Sequence, residues 1–296
     1  MLRICLFNTC IEIFSKAFWQ NVLVAINLLS GIIIFGINNK TNIPMESKIA
    51  LITGGSRGLG RNAAFQLAGK GHDIIITYQS KQEEAEMVIK EIESLGRRAA
   101  AIRSDVGDIQ AIDSFITQVS AVLKEKWGRD RFDFLINNAG FGASIAFADA
   151  TEADFDRFSD VHFKGVFFLT QKAVLIMNDG GSIVNLSSGS TRFNVPGYAV
   201  YASMKGAVEV LTRYLAKELG PRGISVNIVA PGAVETDFNN AAIRSNPVFK
   251  ERLAANTALG RVGEANDIGG VVAFLCSPEG HWINGQRIEA SGGINL

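Results

Sequence analysis

From Lys48 onward, short runs of aliphatic and β-branched residues alternate with longer stretches in which apolar side chains recur every three or four positions. The short runs read as strands buried on both faces, the longer ones as amphipathic helices. Strands are expected over Ile49–Thr53, Asp73–Tyr78, Ala99–Arg103, Asp133–Asn137, Ser182–Leu186, Ile224–Val229 and Gln286–Glu289. Helices are expected over Leu59–Gly69, Lys81–Leu95, Ile109–Lys126, Glu152–Met177, Tyr198–Leu219 and Asn266–Cys276. Gly71, Gly96, Gly128, Gly180 and Gly220 follow the expected helix ends, where a residue tolerant of positive φ is favoured. The alternation predicts an α/β fold, a doubly wound parallel sheet of about seven strands with helices on both faces. No internal repeat, low-complexity run or linker follows residue 45, so residues 45–296 are expected to form a single domain. Pro231–Glu264 is the irregular stretch, at the place where such a sheet keeps its loops over the ligand crevice.

Residues 1–44 break this pattern as a hydrophobic N-terminal extension. Ala17 to Asn39 carries no charge, long enough for a short membrane span, and Lys16 and Lys40 flank it evenly and set no orientation. Met45-Glu46-Ser47-Lys48 leads straight into the first strand, as a natural start would. The favoured expectation is that translation begins at Met45 and that residues 1–44 are an upstream extension; the alternative is a membrane anchor through residues 17–39. The intact mass of the native protein separates the two.

Composition narrows the function classes. The chain is 47% hydrophobic and 20% charged, which suits a globular core and not a disordered segment. Lys+Arg and Asp+Glu balance at 29 each, so no nucleic-acid partner is expected. Cys5, Cys10 and Cys276 make neither a metal-ligand spacing nor a disulfide framework, and no metal is expected. With one thiol after residue 45, a reducing cytoplasm is the expected location.

The candidate chemistry starts at Tyr201-Ala202-Ser203-Met204-Lys205, with Ser188 upstream. On a helix, residues at i and i+4 share a face, which places the Lys205 ammonium near the Tyr201 hydroxyl. At an effective dielectric near 20 and ~4 Å, that charge is worth about 4 kcal/mol, or roughly three pKa units of lowering. A phenol titrating near neutrality is a ready general acid and base. The same pattern also arises on ordinary solvated helix faces, so the pair needs support.

Support comes from Thr53-Gly54-Gly55-Ser56-Arg57-Gly58-Leu59-Gly60, which joins the first strand to the first helix. Glycines there let backbone N–H groups approach a pyrophosphate at the helix N-terminus. At the end of the second strand a carboxylate would select NAD through the ribose 2′-OH. Tyr78-Gln79-Ser80-Lys81 carries no acid, and Arg57 adds a second cation, so NADP is expected rather than NAD. Arg57 and Lys81 would also serve as plain surface cations.

These motifs, followed in order by Asn137-Asn138-Ala139-Gly140, Ser188, Tyr201 with Lys205, and Pro231-Gly232 with Thr236, resemble the short-chain dehydrogenase/reductase family from Lys48 to Gly293. The closer likeness is to its 3-oxoacyl-[acyl-carrier-protein] reductase-like subgroup, and Trp282-Ile283-Asn284-Gly285-Gln286 and Gly292-Gly293 match the family's ending. The resemblance implies a Rossmann-type domain and an NADP(H)-dependent oxidoreductase interconverting a ketone or aldehyde and an alcohol. It implies Tyr201 as general acid, Ser188 polarising the carbonyl oxygen, and Lys205 lowering the Tyr201 pKa and holding the nicotinamide ribose. Gly54, Ser56, Arg57, Gly58, Leu59 and Gly60 would cradle the phosphates, with Tyr78 and Lys81 beside the adenosine ribose. Asp105 and Val106 would hold the adenine, and Asn137, Ala139 and Gly140 would line the middle of the cofactor. Pro231, Gly232, Val234 and Thr236 would meet the nicotinamide. Asp105 would equally cap the helix that follows it, and Ser187 and Ser190 suit loop capping.

One position departs from the family. Where an asparagine usually holds a water that relays protons to the lysine, this chain has His162. An imidazole also donates and accepts, and it titrates near pH 6.5. His162→Asn is therefore expected to keep at least about a tenth of the activity and to alter its pH profile. A histidine bonded to a backbone carbonyl is the plainer reading of the same residue. Phe141, Phe193, Val195, Phe238 and residues 239–255 are expected to wall a pocket for a partly apolar small molecule, with a 3-oxoacyl thioester as one candidate. The apolar faces of Glu152–Met177 and Tyr198–Leu219 suggest a homo-oligomer, a dimer or tetramer. The rival reading is a catalytically silent NADPH-binding sensor or scaffold on the same fold.

Overall fold

A computed structural model of the chain describes residues 47–296. Both readings of residues 1–44, extension and anchor, lie outside the described residues. Seven strands form one sheet: β1 Ile49–Ile52, β2 Asp73–Tyr78, β3 Ala99–Arg103, β4 Phe132–Asn137, β5 Met177–Leu186, β6 Ser225–Pro231 and β7 Arg287–Ala290. Their order is β3-β2-β1-β4-β5-β6-β7, and every neighbouring pair is parallel. The helices are α1 Gly58–Gly69, α2 Gln82–Ser94, α3 Ile112–Trp127, α4 Glu152–Ser159, α5 Gly165–Ala173, α6 Ala199–Leu219, α7 Phe238–Ser245, α8 Pro247–Ala255 and α9 Ala265–Leu275.

The central stretches of the strands are largely apolar because both sheet faces are covered. Alternate residues go to opposite layers. Ala50, Ile52, Ile74, Ile76 and Ile136 pack toward one core, with Leu67 of α1 and Val272 of α9. Ile49, Leu51, Ile75 and Leu135 pack toward the other, with Leu123 of α3 and Leu169 of α5. At the N-terminal edge of the sheet, Asp133 accepts from the Ile49 amide (2.8 Å) and from Asn178 (2.9 Å). Asp73 there accepts from Ser47, Arg98 and Trp127. Burial pushes the Asp73 carboxyl up, and these donors together pull it below its ordinary value. These polar locks sit at the opposite end from the crevice that opens where strand order reverses between β1 and β4.

Four differences from the sequence reading have physical causes. The helix expected over Glu152–Met177 is interrupted by a wide π turn at Asp160–Lys164. Just after it, Gly165 backs onto the Val106 carbonyl, which an added Cβ would meet at 2.2 Å. Gly180 does not end a helix but, at φ +71°, bends β5, which starts at Met177 and shifts register against β4. Gly220 stays helical at φ −53°, and Gly223 takes the left-handed turn. Pro231–Glu264, expected to be irregular, holds α7 and α8. Asn239, Asn240 and Ala241 of α7 all have φ near +55°, a region that costs an L-residue such as alanine about 1–2 kcal/mol.

Candidate active site

A cavity of about 980 Å³ runs across the C-terminal ends of the strands. One end is built by the β1–α1 turn. Gly54 and Gly58 have positive φ, and a Cβ on Gly54 would lie 2.9 Å from the Ala139 backbone. Gly60 packs against the turn itself, since a Cβ there would meet the Gly54 carbonyl at 2.3 Å. Asn138 ties the turn to β4 by donating to the Thr53 and Gly54 carbonyls at 2.9 and 3.0 Å. Arg57, the N-cap of α1, makes no side-chain cap bond, so the first N–H groups of α1 have no side-chain acceptor from it. That cradle fits a pyrophosphate.

Of the expected cofactor residues, Gly54, Ser56, Arg57, Gly58, Leu59, Tyr78, Lys81, Asp105, Val106, Ala139, Gly140, Pro231, Gly232, Val234 and Thr236 line this cavity. Gly60 and Asn137 do not. Gly60 shapes the turn from behind. Asn137 is buried in β4 and donates to Thr170 (2.9 Å) and Asn185 (2.8 Å), and Asn185 donates on to Thr212. The neighbouring Asn138 faces the cavity instead, which corrects the expectation placed on Asn137. Asp105 accepts from the Gly107 amide (2.9 Å) and from Gln79 (2.7 Å), and the residue that caps the helical turn beginning at Ile109 is Asp108, not Asp105, accepting from the Ala111 amide at 3.2 Å. Arg57 and Lys81 flank the far end of the cavity with Gln79 and Ser80, and neither is paired with a carboxylate among the described residues. This donor set fits a phosphate on the adenosine ribose.

At the other end, Tyr201 and Lys205 stand one turn apart on α6 and Ser188 follows β5. Ser188 caps a short 3-10 turn, with its Oγ accepting from the Ser190 amide (3.2 Å) and hydroxyl (2.9 Å). The Lys205 ammonium is buried and donates to the Leu186 carbonyl at 2.8 Å. The expected lowering of the Tyr201 pKa is not found. Burial drives the phenol up to about 12, with Ser188 pulling it down and Tyr198 pushing it further up. Burial also drives Lys205 down to about 8. The i, i+4 estimate assumed a partly solvated, directly facing pair, whereas here burial sets both groups and the Lys205 ammonium is turned to the Leu186 carbonyl, 5.7 Å from the centre of the Tyr201 ring.

His162 sits in the π turn with no solvent exposure. Its ring lies 5.0 Å from Phe141, 5.7 Å from Phe158 and 5.1 Å from Tyr201, centre to centre. Neither ring nitrogen has a hydrogen-bond partner. Burial, then the Lys205 charge, hold its pKa down at about 2, with the Phe141 backbone pulling the other way. The plain reading, a histidine bonded to a carbonyl, keeps support from the Phe141 backbone, although neither ring nitrogen reaches full hydrogen-bond geometry. The expected titration near pH 6.5 is not found, because the imidazole is neutral over the whole working range. Stability is where the shift shows. Below pH 6.5 the unfolded chain takes up a proton that the folded chain excludes, so stability falls as pH drops. Thermal melts of His162→Asn are expected to show a shallower loss from pH 6.5 to 4.5 than the parent; identical slopes would contradict the assignment. His72, also held low by burial, contributes equally to both proteins.

Comparison with known proteins extends the geometry. A family described as enoyl-(acyl carrier protein) reductase matches residues 54–295. An uncharacterized oxidoreductase of Methylorubrum extorquens is 39% identical over 250 residues, covering 84% of this chain and 98% of its own. The 3-oxoacyl-[acyl-carrier-protein] reductase FabG of Staphylococcus aureus is 37% identical over 252 residues, covering 84% and 99%. The angucycline C-6 ketoreductase LanV, solved with bound NADP, superposes with a TM-score of 0.80 at 38% identity, covering 84% of this chain and 96% of that one. Likeness of this extent, over nearly the full length of each relative, means that the chain belongs to the short-chain dehydrogenase/reductase family.

Proposed function

We propose that this protein is an NADP(H)-dependent ketoreductase in which Ser188, Tyr201 and Lys205 act on the carbonyl of a small molecule. The observation that carries the reading is their convergence in one cavity whose far end presents Arg57 and Lys81. NADPH, when bound, supplies the hydride. Tyr201, with its pKa near 12, stays protonated through the working range and hands its proton to the carbonyl oxygen as the alcohol forms. Ser188 donates to that oxygen and steadies its developing charge. Lys205 supplies a buried cation behind Tyr201, and the neutral His162 ring lines the same cavity with one donor and one acceptor nitrogen, the two groups that a proton relay toward Lys205 needs.

Lys205 carries its charge only below its lowered pKa of about 8. Reductive kcat/KM, followed as NADPH oxidation, is therefore expected to be flat from about pH 6.5 to 7.5 and to fall above about 8. A rate that climbs through pH 8 would overturn the role given to Lys205.

The substrate end is walled by Phe141, Phe193, Val195, Tyr198, Phe238 and Phe249. Aromatic walls favour flat, ring-bearing ketones, in keeping with the LanV likeness; the FabG likeness favours a 3-oxoacyl thioester. Comparing a bicyclic aryl ketone with an acetoacetyl thioester in the same assay decides between them. No NADPH oxidation with any ketone, despite NADPH binding, would favour the silent-scaffold reading.

A homo-oligomer is supported by Phe155, Phe167 and Phe168 on α4 and α5 and by Val210 and Tyr214 on α6, all exposed in the single chain. Sedimentation as a monomer at micromolar concentration would count against it. Among the described residues no helix is long and apolar enough to cross a membrane. Burial pushes the Cys276 thiol up to about 12, so it is inert and takes no part in the chemistry.

A further inference from the structure

Glu209 lies one further turn along α6 on the face that carries Tyr201 and Lys205, at i+8 and i+4 from them. Its side chain is 15% exposed, and one carboxylate oxygen, Oε1, accepts from three groups. The donors are Ser187 Oγ (2.6 Å), Thr191 Oγ1 (2.7 Å) and Arg287 Nε (2.8 Å). Two of them flank Ser188. The third, Arg287 of β7, also donates to the Ser188 carbonyl (3.3 Å) and to Thr191 Oγ1 (3.1 Å). The loop that presents Ser188 is thus tied on both sides to the helix that presents Tyr201.

We propose that Glu209, acting with Arg287, is a positioning pair that fixes the Ser188 hydroxyl relative to Tyr201 and Lys205. The helix fixes Tyr201 and Lys205 relative to each other, but Ser188 sits on a turn with no such constraint. The displacement that matters is small, because a shift of about 1 Å in a reacting group is enough to cost about 100-fold in rate. A carboxylate accepting three bonds, one from a guanidinium, holds the turn more firmly than neutral bonds would. Arg287 is held in turn by Glu289 at 3.0 Å, and Glu289 is gripped by Arg192 and Ser291. The clamp thereby reaches the C-terminal segment, where Arg192 also bonds the Ile294 carbonyl.

This inference rests on the reading of Ser188 as the group that polarises the carbonyl, and a double-mutant cycle tests the two separately. Glu209→Gln keeps the shape and removes the charge. It is expected to lower kcat about tenfold while the Kd for NADPH stays within about twofold. In a Ser188→Ala background the same change is expected to cost less than about twofold, because the hydroxyl it positions is gone. An equal loss in both backgrounds, or no loss in the parent, overturns the positioning role. If Ser188→Ala alone turns over as fast as the parent, the reading of the serine fails first. Should Glu209→Gln not fold, Thr191→Val at the half-buried end of the turn repeats the cycle, with an expected loss of about threefold that again vanishes without Ser188.

Discussion

Tyr201→Phe is expected to lower kcat for carbonyl reduction by about 10²–10⁴-fold while NADPH affinity stays within about twofold. The substitution removes one oxygen and leaves the ring where it is, packed edge-on to His162 at 5.1 Å and to Tyr198 at 6.1 Å and tilted against Phe238 at 6.2 Å. Fold and cofactor cradle are therefore preserved, and the loss isolates proton donation. With Tyr201 pushed up to about 12, its proton is present at every working pH, so pH cannot restore the variant. Ser188 and Lys205 remain and would sustain a residual rate by stabilising the oxyanion alone. Steady-state NADPH oxidation and a thermal melt on the same sample suffice as the check. A folded phenylalanine variant with parent turnover would remove Tyr201 from the chemistry.

The second large effect concerns the choice of cofactor. Arg57→Ala combined with Lys81→Ala is expected to reduce the preference for NADPH over NADH, in kcat/KM, by about 100-fold or more. A hydrogen bond to a charged group contributes about 1.5–3 kcal/mol, and the exposed position of both cations argues for the lower end. The effect should fall on NADPH alone, with the NADH rate constant changing less than about threefold, because only the 2′-phosphate distinguishes the two. Raising salt should weaken NADPH binding in the parent and leave the double variant less affected. A parent that prefers NADH would overturn the assignment outright.

Much of the fold and part of the site were legible along the chain. Ile49–Ile52 and Ile74–Ile76 read as buried strands because a run of small aliphatic residues has few other uses, and the Thr53–Gly60 turn read as a phosphate cradle because glycines must sit where backbone crowds backbone. Gly180 was misjudged for an instructive reason. Positive φ was correctly expected, but a bend inside β5 and a helix end demand the same conformation, and only the pairing of Met177 with Phe132 tells them apart. α7 and α8 were not foreseen, since short helices at a cavity mouth lack a sustained apolar stripe. Asn137 was expected to line the cavity, but it is Asn138 that does, because strand alternation turns Asn137 into the sheet toward Thr170 and Asn185.

What the sequence determined by itself was everything set by neighbours along the chain: the alternation of strand and helix, the glycine turn, and the i, i+4 spacing of Tyr201 and Lys205. What only the tertiary structure decided was the electrostatic state of those groups and who holds them. The Tyr201 phenol is raised instead of lowered, the His162 ring is kept neutral, Lys205 is turned to the Leu186 carbonyl, and Glu209 is joined to Arg287 from a distant strand. Periodicity and turn geometry are local properties of the backbone. Desolvation and hydrogen-bond partnership are sums over atoms brought together from segments far apart, and they exist only once the chain has folded.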